Sequence, residues 1–225
     1  MTELILASRS PRRQQLLRIL QETFLVRAAD VDESEQPGEA PSGYVIRVAK
    51  AKAQAAAESL ADGEEPAAAL LAADTTVVAD GELVGKPRHE QEAKEILQRL
   101  AGNTHQVLTG LIVYLPGTGD MHSQLAVSEV SMRELSEEEI DRYVASGDPL
   151  DKAGAYAIQN QRFQLVPDFS DCFANVMGLP LCHLKLTLDK IGFPTPRYLP
   201  QRCQEALDYL CPVYESILEK TPEHS

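Results

Sequence analysis

Apolar positions along this chain follow two rhythms, and the switches between them outline the fold. LILAS (4–8) is an unbroken apolar run ending in small residues, the pattern of a strand buried on both faces. Leu16, Leu17 and Leu20 then recur at helical spacing, behind Ser10 as N-cap and Pro11 as first helical residue. FLVRAADVDES (24–34) reads as a second strand running into a loop, and the alanine-rich segment 41–61, with Tyr44, Ile46, Val48 and Ala49, as a long helix. In 68–87 an apolar strand leads to an Asp80–Gly81 turn between TTVV and ELV, a hairpin signal. An amphipathic helix over 89–103, closed by Gly102, precedes two long neighbouring strands, 105–116 and 123–135. A capping box, Ser136 with Glu139, opens a helix that ends at Gly147. Next come a glycine-bearing loop with a strand-like run ending at Gln159, a helix over 177–192, a proline-rich linker (192–200) and a last helix over 201–219. Strands and helices interleave with a hairpin among them, so the class is α/β with a mixed sheet.

The chain has 225 residues, 44% of them hydrophobic and 24% charged, enough for a substantial core. No apolar run approaches the ~20 residues of a membrane span, and the N-terminus lacks the basic start and apolar stretch of a signal peptide, so a cytoplasmic location is expected. The four cysteines, at 172, 182, 203 and 211, have no CxxC spacing and are expected as free thiols, with neither zinc nor disulfide. Cys203 and Cys211 fall on the expected last helix, where ~12 Å of rise would keep them from bridging. The net charge of −13 disfavours binding to nucleic acid or anionic membrane. It makes local clusters of cations informative.

Four clusters carry possible chemistry. In SRSPRR, Arg12 and Arg13 stand at a helix start that is already positive. Either they are solvated surface arginines, or Ser8, Ser10 and the two guanidiniums form an anion cradle. It would be unlike the Walker loop, because no GxxxxGK[ST] exists in the chain. Asp74 directly follows an apolar run; it is either a structural turn residue or a metal ligand or general base at a strand end facing a cleft. Lys86 sits after the hairpin, where a solvated lysine is the plain alternative. Asp151 and Lys152, between Gly147 and Gly154, are either a surface ion pair or part of a backbone that approaches a ligand closely. Together these clusters supply cations for a polyanion and carboxylates for a metal.

With these segments in view, the chain resembles the Maf family of nucleoside triphosphate pyrophosphatases. The resemblance runs from residue 4 to about 192 through LASRSPRRQQLL, VDES, RVAKAKA, AADTTVVADGELVGKP, GNTHQVLTGL, YVASGDPLDKAGAYAIQ and NVMGLPL, in the family's order. It implies a two-lobed mixed β-sheet with flanking helices and a central cleft, similar in shape to inosine triphosphate pyrophosphatases. It implies hydrolysis of a nucleoside triphosphate to the monophosphate and pyrophosphate, with a divalent metal cation (Mg²⁺, or Mn²⁺ or Co²⁺) and a homodimer. Asp74 matches the family's proton acceptor, and Arg13, Glu33, Lys52, Lys86, Asp151 and Lys152 match its cleft residues. Glu33, Asp151 and Asp74 are the candidate metal ligands, and Arg13, Lys52 and Lys86 the cations for the leaving pyrophosphate. Arg12, Thr75 and Gln159 match positions associated with substrate choice and resemble the dTTP/UTP branch, which implies house-cleaning of nucleotide pools. Gln159 carries both a donor and an acceptor for the imide edge of thymine or uracil. Two other readings stand beside this one: a nucleotide-binding regulator of septum formation without turnover, and a 7-methyl-GTP pyrophosphatase. Asp171 and Cys172 depart from the family's usual glycine and serine. The expected division is a Maf-like domain over 1–192 and a linker with helical extension over 193–225, which could pack on the body, extend a dimer contact or bind a partner.

Overall fold

A computed structural model describes residues 4–60 and 69–219. Six strands form one mixed sheet: β1 (Leu4–Leu6), β2 (Leu25–Val26), β3 (Ala69–Ala79), β4 (Glu82–Val84), β5 (Thr104–Leu115) and β6 (Asp120–Ser131). The order is β2-β1-β3-β5-β6, with β4 also paired to β3. β1 runs parallel to β2 and β3, whereas β3, β5 and β6 are antiparallel along most of their length. The helices are α1 (Pro11–Leu20), α2 (Pro41–Glu58), α3 (Glu90–Leu100), α4 (Glu137–Val144), α5 (Phe173–Val176), α6 (Leu181–Lys190), α7 (Leu199–Leu207) and α8 (Tyr214–Glu219).

Strand alternation sorts the core into layers. Ile5, Leu70, Ala72 and Ile112 face α2 and pack on its Ala49, Ala53 and Ala56. Leu4, Leu6, Leu71, Ala73 and Leu111 face the other way, onto Leu16 and Leu17 of α1 and Leu184 and Leu188 of α6. At the far end of the same strands, Val77, Val107 and Val130 pack on Leu97 of α3 and Ile140 and Tyr143 of α4. β3 and β5 therefore run through two lobes with separate cores. The expected Asp80–Gly81 hairpin is present, both residues having positive φ (53° and 81°) as a type I′ turn requires. The Ser136–Glu139 capping box is formed in both directions.

The structure differs from the sequence reading at five places. The second strand is only two residues long, because Leu25 and Val26 lie exposed at the sheet edge. Asp74 is no strand end: β3 continues through it to Ala79, carried by nine paired positions with β5. Residues 156–159 form no strand. Two 3-10 turns (Asp148–Asp151, Ala153–Ala155) with positive φ at Gly154 and Ala155 turn the chain, and the Ala157 N–H donates to the Tyr143 hydroxyl at 2.9 Å. The helix expected over 177–192 starts only at Leu181, since Gly178 has φ +103° and Pro180 caps the start. The last helix breaks at Asp208 (φ 47°), giving α7 and α8 with Cys211 in the turn between them. The end of the α2 segment at Ala61 and the first residue of the 68–87 segment lie outside the described residues. Leu199, Leu207, Val213 and Ile217 join the α1–α6 core, so the extension packs on the body.

Candidate active site

The pairing of β3 makes the cleft. On the edge away from β5, β1 pairs with Ala69–Leu71 and β4 with Val77–Ala79. Residues 72–76 between them lack a partner strand on that edge, and here the two lobes part. Alternation then decides which way each side chain looks. Asp74 follows Leu70 and Ala72 toward α2; Thr75 follows Leu71 and Ala73 toward α1 and α6.

Toward α2, Lys52 Nζ donates to Asp74 Oδ1 at 2.7 Å and meets Glu33 Oε1 at 2.8 Å. Asp74 is only 6% exposed, so this pairing compensates for a buried carboxylate. The loop after β2 is brought in by α2: the Tyr44 hydroxyl donates to Glu33 O at 2.9 Å and Arg47 Nη2 to Ser34 O at 2.9 Å. Desolvation, and then the negative charges of Asp74 and Glu33, push the Tyr44 phenol up to about 12. α2 reaches this position because β5 has glycine opposite Asp74; a Cβ at Gly110 would stand 2.5 Å from Val45 O.

Toward α1, the Arg13 guanidinium is held by three acceptors: Gly178 O at 2.9 Å, Ser8 Oγ at 3.3 Å and Thr75 Oγ1 at 3.1 Å. Burial lowers its pKa, and the nearby Asp74 charge works against that shift. Thr75 Oγ1 also meets Thr109 Oγ1 at 3.0 Å, and Thr109 donates to Asn175 O at 3.2 Å. Ser10 is the N-cap of α1 and Pro11 its first residue, but the Ser10 side chain makes no cap bond and its residue lines the cleft instead. Ser8 stands behind Arg13 as its acceptor.

The cleft has a volume of about 370 Å³ and is lined by Ser10, Arg12, Arg13, Glu33, Lys52, Asp74, Thr75, Lys86, Lys152 and Gln159. Lys86 is exposed at the mouth and, among the described residues, has no ion-pair partner. Lys152 Nζ donates to Asp148 O at 2.6 Å and to Asp151 Oδ1 at 2.5 Å. Asp151 Oδ2 also lies 3.8 Å from Arg12 Nη1, and its side chain is 71% exposed. Ser8 and Asp151 are thus placed beside the cleft's cations, while the other candidates line it. Tyr44, Tyr156 and Met177 line the cleft without having been singled out from the sequence. Thr109 and Gly110 were missed as supports, although a glycine inside a twelve-residue strand is itself a sign of close backbone approach.

Glu33 and Asp74 come from different elements and converge on one atom, Lys52 Nζ, so their hard oxygens fit a shared divalent cation completed by phosphate oxygens and waters. Among the described residues no three His, Cys, Asp or Glu side chains form a metal cluster, so Asp151 stands apart from that pair.

The sequence profile of the family described as Maf-like protein matches residues 3–191. The chain belongs to the Maf family. Among its relatives are proteins named dTTP/UTP pyrophosphatase. That of Methylococcus capsulatus is 46% identical over 88% of this chain and 95% of its own. Those of Myxococcus xanthus and Anaeromyxobacter dehalogenans (strain 2CP-C) are 45% and 44% identical over 87% and 86% of this chain and 95% and 96% of theirs. The Staphylococcus aureus Ham1 protein aligns more loosely, at TM-score 0.42 and 16% identity over 59% of this chain and 72% of its own. Among the described residues of this Maf-family chain no helix is long and apolar enough to cross a membrane.

Proposed function

We propose that this chain hydrolyses nucleoside triphosphates, dTTP and UTP in preference, to the monophosphate and pyrophosphate. The observation that carries the reading is one cleft that brings two carboxylates, Glu33 and Asp74 tied by Lys52, together with four further cations, Arg12, Arg13, Lys86 and Lys152. Only one Asp74 oxygen is committed to Lys52. The other can accept a proton from a water attacking the α-phosphorus. Arg13 spends three N–H donors on protein acceptors and keeps two for substrate, so its position is set before substrate arrives. These cations stabilise the charge that develops on the leaving pyrophosphate. A divalent cation, Mg²⁺ with Mn²⁺ or Co²⁺ as alternatives, would be held by Glu33 and Asp74 and supplies neutralisation of the triphosphate charge. Gln159 lines the cleft and offers both halves of an imide-pairing edge. We also propose a cytoplasmic homodimer. The dimer is supported by the exposed Leu125 and Val127 on the sheet-edge strand β6, and sedimentation of the purified protein tests it.

The test is the product. Incubation with dTTP and Mg²⁺ is expected to release pyrophosphate, and Asp74→Asn is expected to slow release by about 10²–10⁴-fold while nucleotide still binds. Release of orthophosphate instead refutes the reaction. Binding without turnover by the wild type returns the regulator reading, and a preference for 7-methyl-GTP overturns the substrate assignment.

A further inference from the structure

Two residues that do not line the cleft hold two that do. Lys152 and Gln159 both line it, and both belong to the loop that follows α4. Tyr143 and Asp148 stand behind them, outside the lining. Tyr143 lies in the last turn of α4, fully buried, with its ring packed on Phe163 at 4.9 Å between centroids. Gly147, left-handed at φ 76°, turns the chain out of the helix, and Asp148 opens the first 3-10 turn.

The Asp148 carboxylate gathers donors from three places. Its Oδ2 accepts from the Tyr143 hydroxyl at 2.6 Å and from Asn160 Nδ2 at 3.0 Å, and its Oδ1 lies 3.1 Å from Lys152 Nζ. The same Lys152 Nζ donates to Asp148 O at 2.6 Å. The Tyr143 oxygen in turn accepts the Ala157 N–H at 2.9 Å. Gln159 is thereby bracketed. Ala157, two residues before it, is fixed through Tyr143, and Asn160, the residue after it, through Asp148. Asn160 is held at its other end as well, since its Oδ1 accepts from Arg162 N and Phe163 N at 3.1 and 3.2 Å. Burial, and then the bond to Asp148, push the Tyr143 phenol up, so it keeps its proton for the carboxylate and its oxygen for Ala157. A polar network whose members are all partnered fixes one geometry.

Resting on the dTTP/UTP reading above, we propose that Tyr143 and Asp148 are positioning residues that together set the place of Gln159, which reads the base, and of Lys152, which meets the phosphates. An amide of the same shape cannot replace the carboxylate. Three donors face the two Asp148 oxygens, and an amide would turn its own NH₂ either toward Lys152 or toward Tyr143 and Asn160. Packing and linkage are separable at Tyr143: the ring supplies the contact with Phe163, and only the hydroxyl supplies the link to Asp148 and Ala157. Tyr143→Phe therefore removes the link and leaves the packing.

The experiment compares full-length wild type, Tyr143→Phe, Asp148→Asn and Tyr209→Phe. The ratio of kcat/KM for dTTP to that for CTP is read, because a general loss of folded protein cancels in it. Tyr143→Phe is expected to lower the ratio by about tenfold, a fraction of the about 10²-fold that a misplacement of about 1 Å costs. Asp148→Asn is expected to lower it at least as far and to raise KM for both nucleotides, because Lys152 loses one of its anchors. Tyr209→Phe removes a hydroxyl that donates to Phe169 O and Asp171 O at 3.1 and 3.0 Å, and is expected to lower Tm without moving the ratio. A second readout needs no substrate: the Ala157 amide is expected to exchange with deuterium faster by about tenfold or more in Tyr143→Phe. An unchanged ratio in Tyr143→Phe, or unchanged exchange at Ala157, would overturn the proposal. Wild type that binds dTTP without turnover would instead sink the pyrophosphatase reading. The ratio is then taken from Kd, where the same tenfold loss is expected and its absence overturns the positioning role.

Discussion

Gly110→Ala tests whether the placement of Lys52 against Asp74 depends on how closely α2 lies on the sheet. The added Cβ would stand 2.5 Å from Val45 O, 2.6 Å from Val45 C and 2.8 Å from Ile46 N, all backbone atoms. Ordinary contact begins at 3.4 Å, so α2 must retreat by about 0.9 Å or β5 must bow by as much. Overpacking of this kind costs about 1–3 kcal/mol, which in a domain of this size lowers Tm by roughly 3–10 °C. The displacement falls two helical turns before Lys52, on a rigid α2, and opens the 2.7 Å contact with Asp74. A misplacement near 1 Å costs about 10²-fold in rate. The assay is pyrophosphate release from dTTP, with Tm measured alongside. Gly117→Ala in the β5–β6 turn, where a Cβ meets nothing within 4 Å, is the control and should change neither. A Gly110→Ala protein with unchanged Tm would refute the packing argument. A lowered Tm with unchanged kcat/KM would refute the link from helix position to catalysis.

Arg13→Lys keeps a charge but cannot reach Gly178 O, Ser8 Oγ and Thr75 Oγ1 together, so kcat/KM for dTTP is expected to fall by about 10²–10³-fold, and an unchanged value would remove the preorganised fork from the mechanism. Gln159→Ala is expected to erode the preference for dTTP and UTP over CTP in a kcat/KM panel; a mutant with the wild-type ratio would place base selection elsewhere. His105, buried with Nε2 2.8 Å from the Tyr156 hydroxyl, is pushed down to about 4 by desolvation. Its unfolded value lies near 6.5, so the unfolded chain takes up the extra proton and up to about 3 kcal/mol of stability present above pH 6.5 is lost as pH falls toward 4. Tm measured from pH 7 to 4 should drop more steeply for wild type than for His105→Gln, and parallel curves would show that His105 does not drive acid destabilisation.

What could be read from the sequence was whatever a local rule decides. The Asp80–Gly81 hairpin, the Ser136 capping box and the α2 and α3 helices follow from turn chemistry, capping and periodicity, and the structure has them. What could not be read depends on partners distant in the chain. Asp74 looks like a strand terminus because an isolated carboxylate interrupts an apolar run. β3 continues because β5 pairs straight past it and Lys52, 22 residues away, compensates its charge. The run 156–159 has a strand's composition, but the Tyr143 hydroxyl takes the Ala157 N–H that a strand ladder would need. The tail reads as one helix because nothing in its spacing announces the left-handed Asp208. That single residue also undoes the argument keeping Cys203 and Cys211 apart, which assumed a continuous helix.

The two arginines at the start of α1 show how sequence and fold together resolve a local conflict. A helix N-terminus disfavours cations by a few tenths to about 1 kcal/mol each, and Ser10 does not offset this by capping. Arg13 is nevertheless held, because its guanidinium, beside the unpaired edge of β3, meets acceptors from three separate segments. Arg12 leans toward Asp151 at 3.8 Å, too far for a strong pair and close enough to be pulled away by a more negative ligand. The chain as a whole is acidic, with 34 acidic against 21 basic residues. A polyanion is therefore repelled by most of the surface and drawn to one opening, where Arg12, Arg13, Lys86 and Lys152 line the same cleft as Asp74. The unfavourable local placement of Arg12 and Arg13 follows from that arrangement. Their positive potential is only partly compensated, by Asp151 beside Arg12 and Asp74 near Arg13, until a ligand with several negative charges enters, and only then does the helix end become favourable.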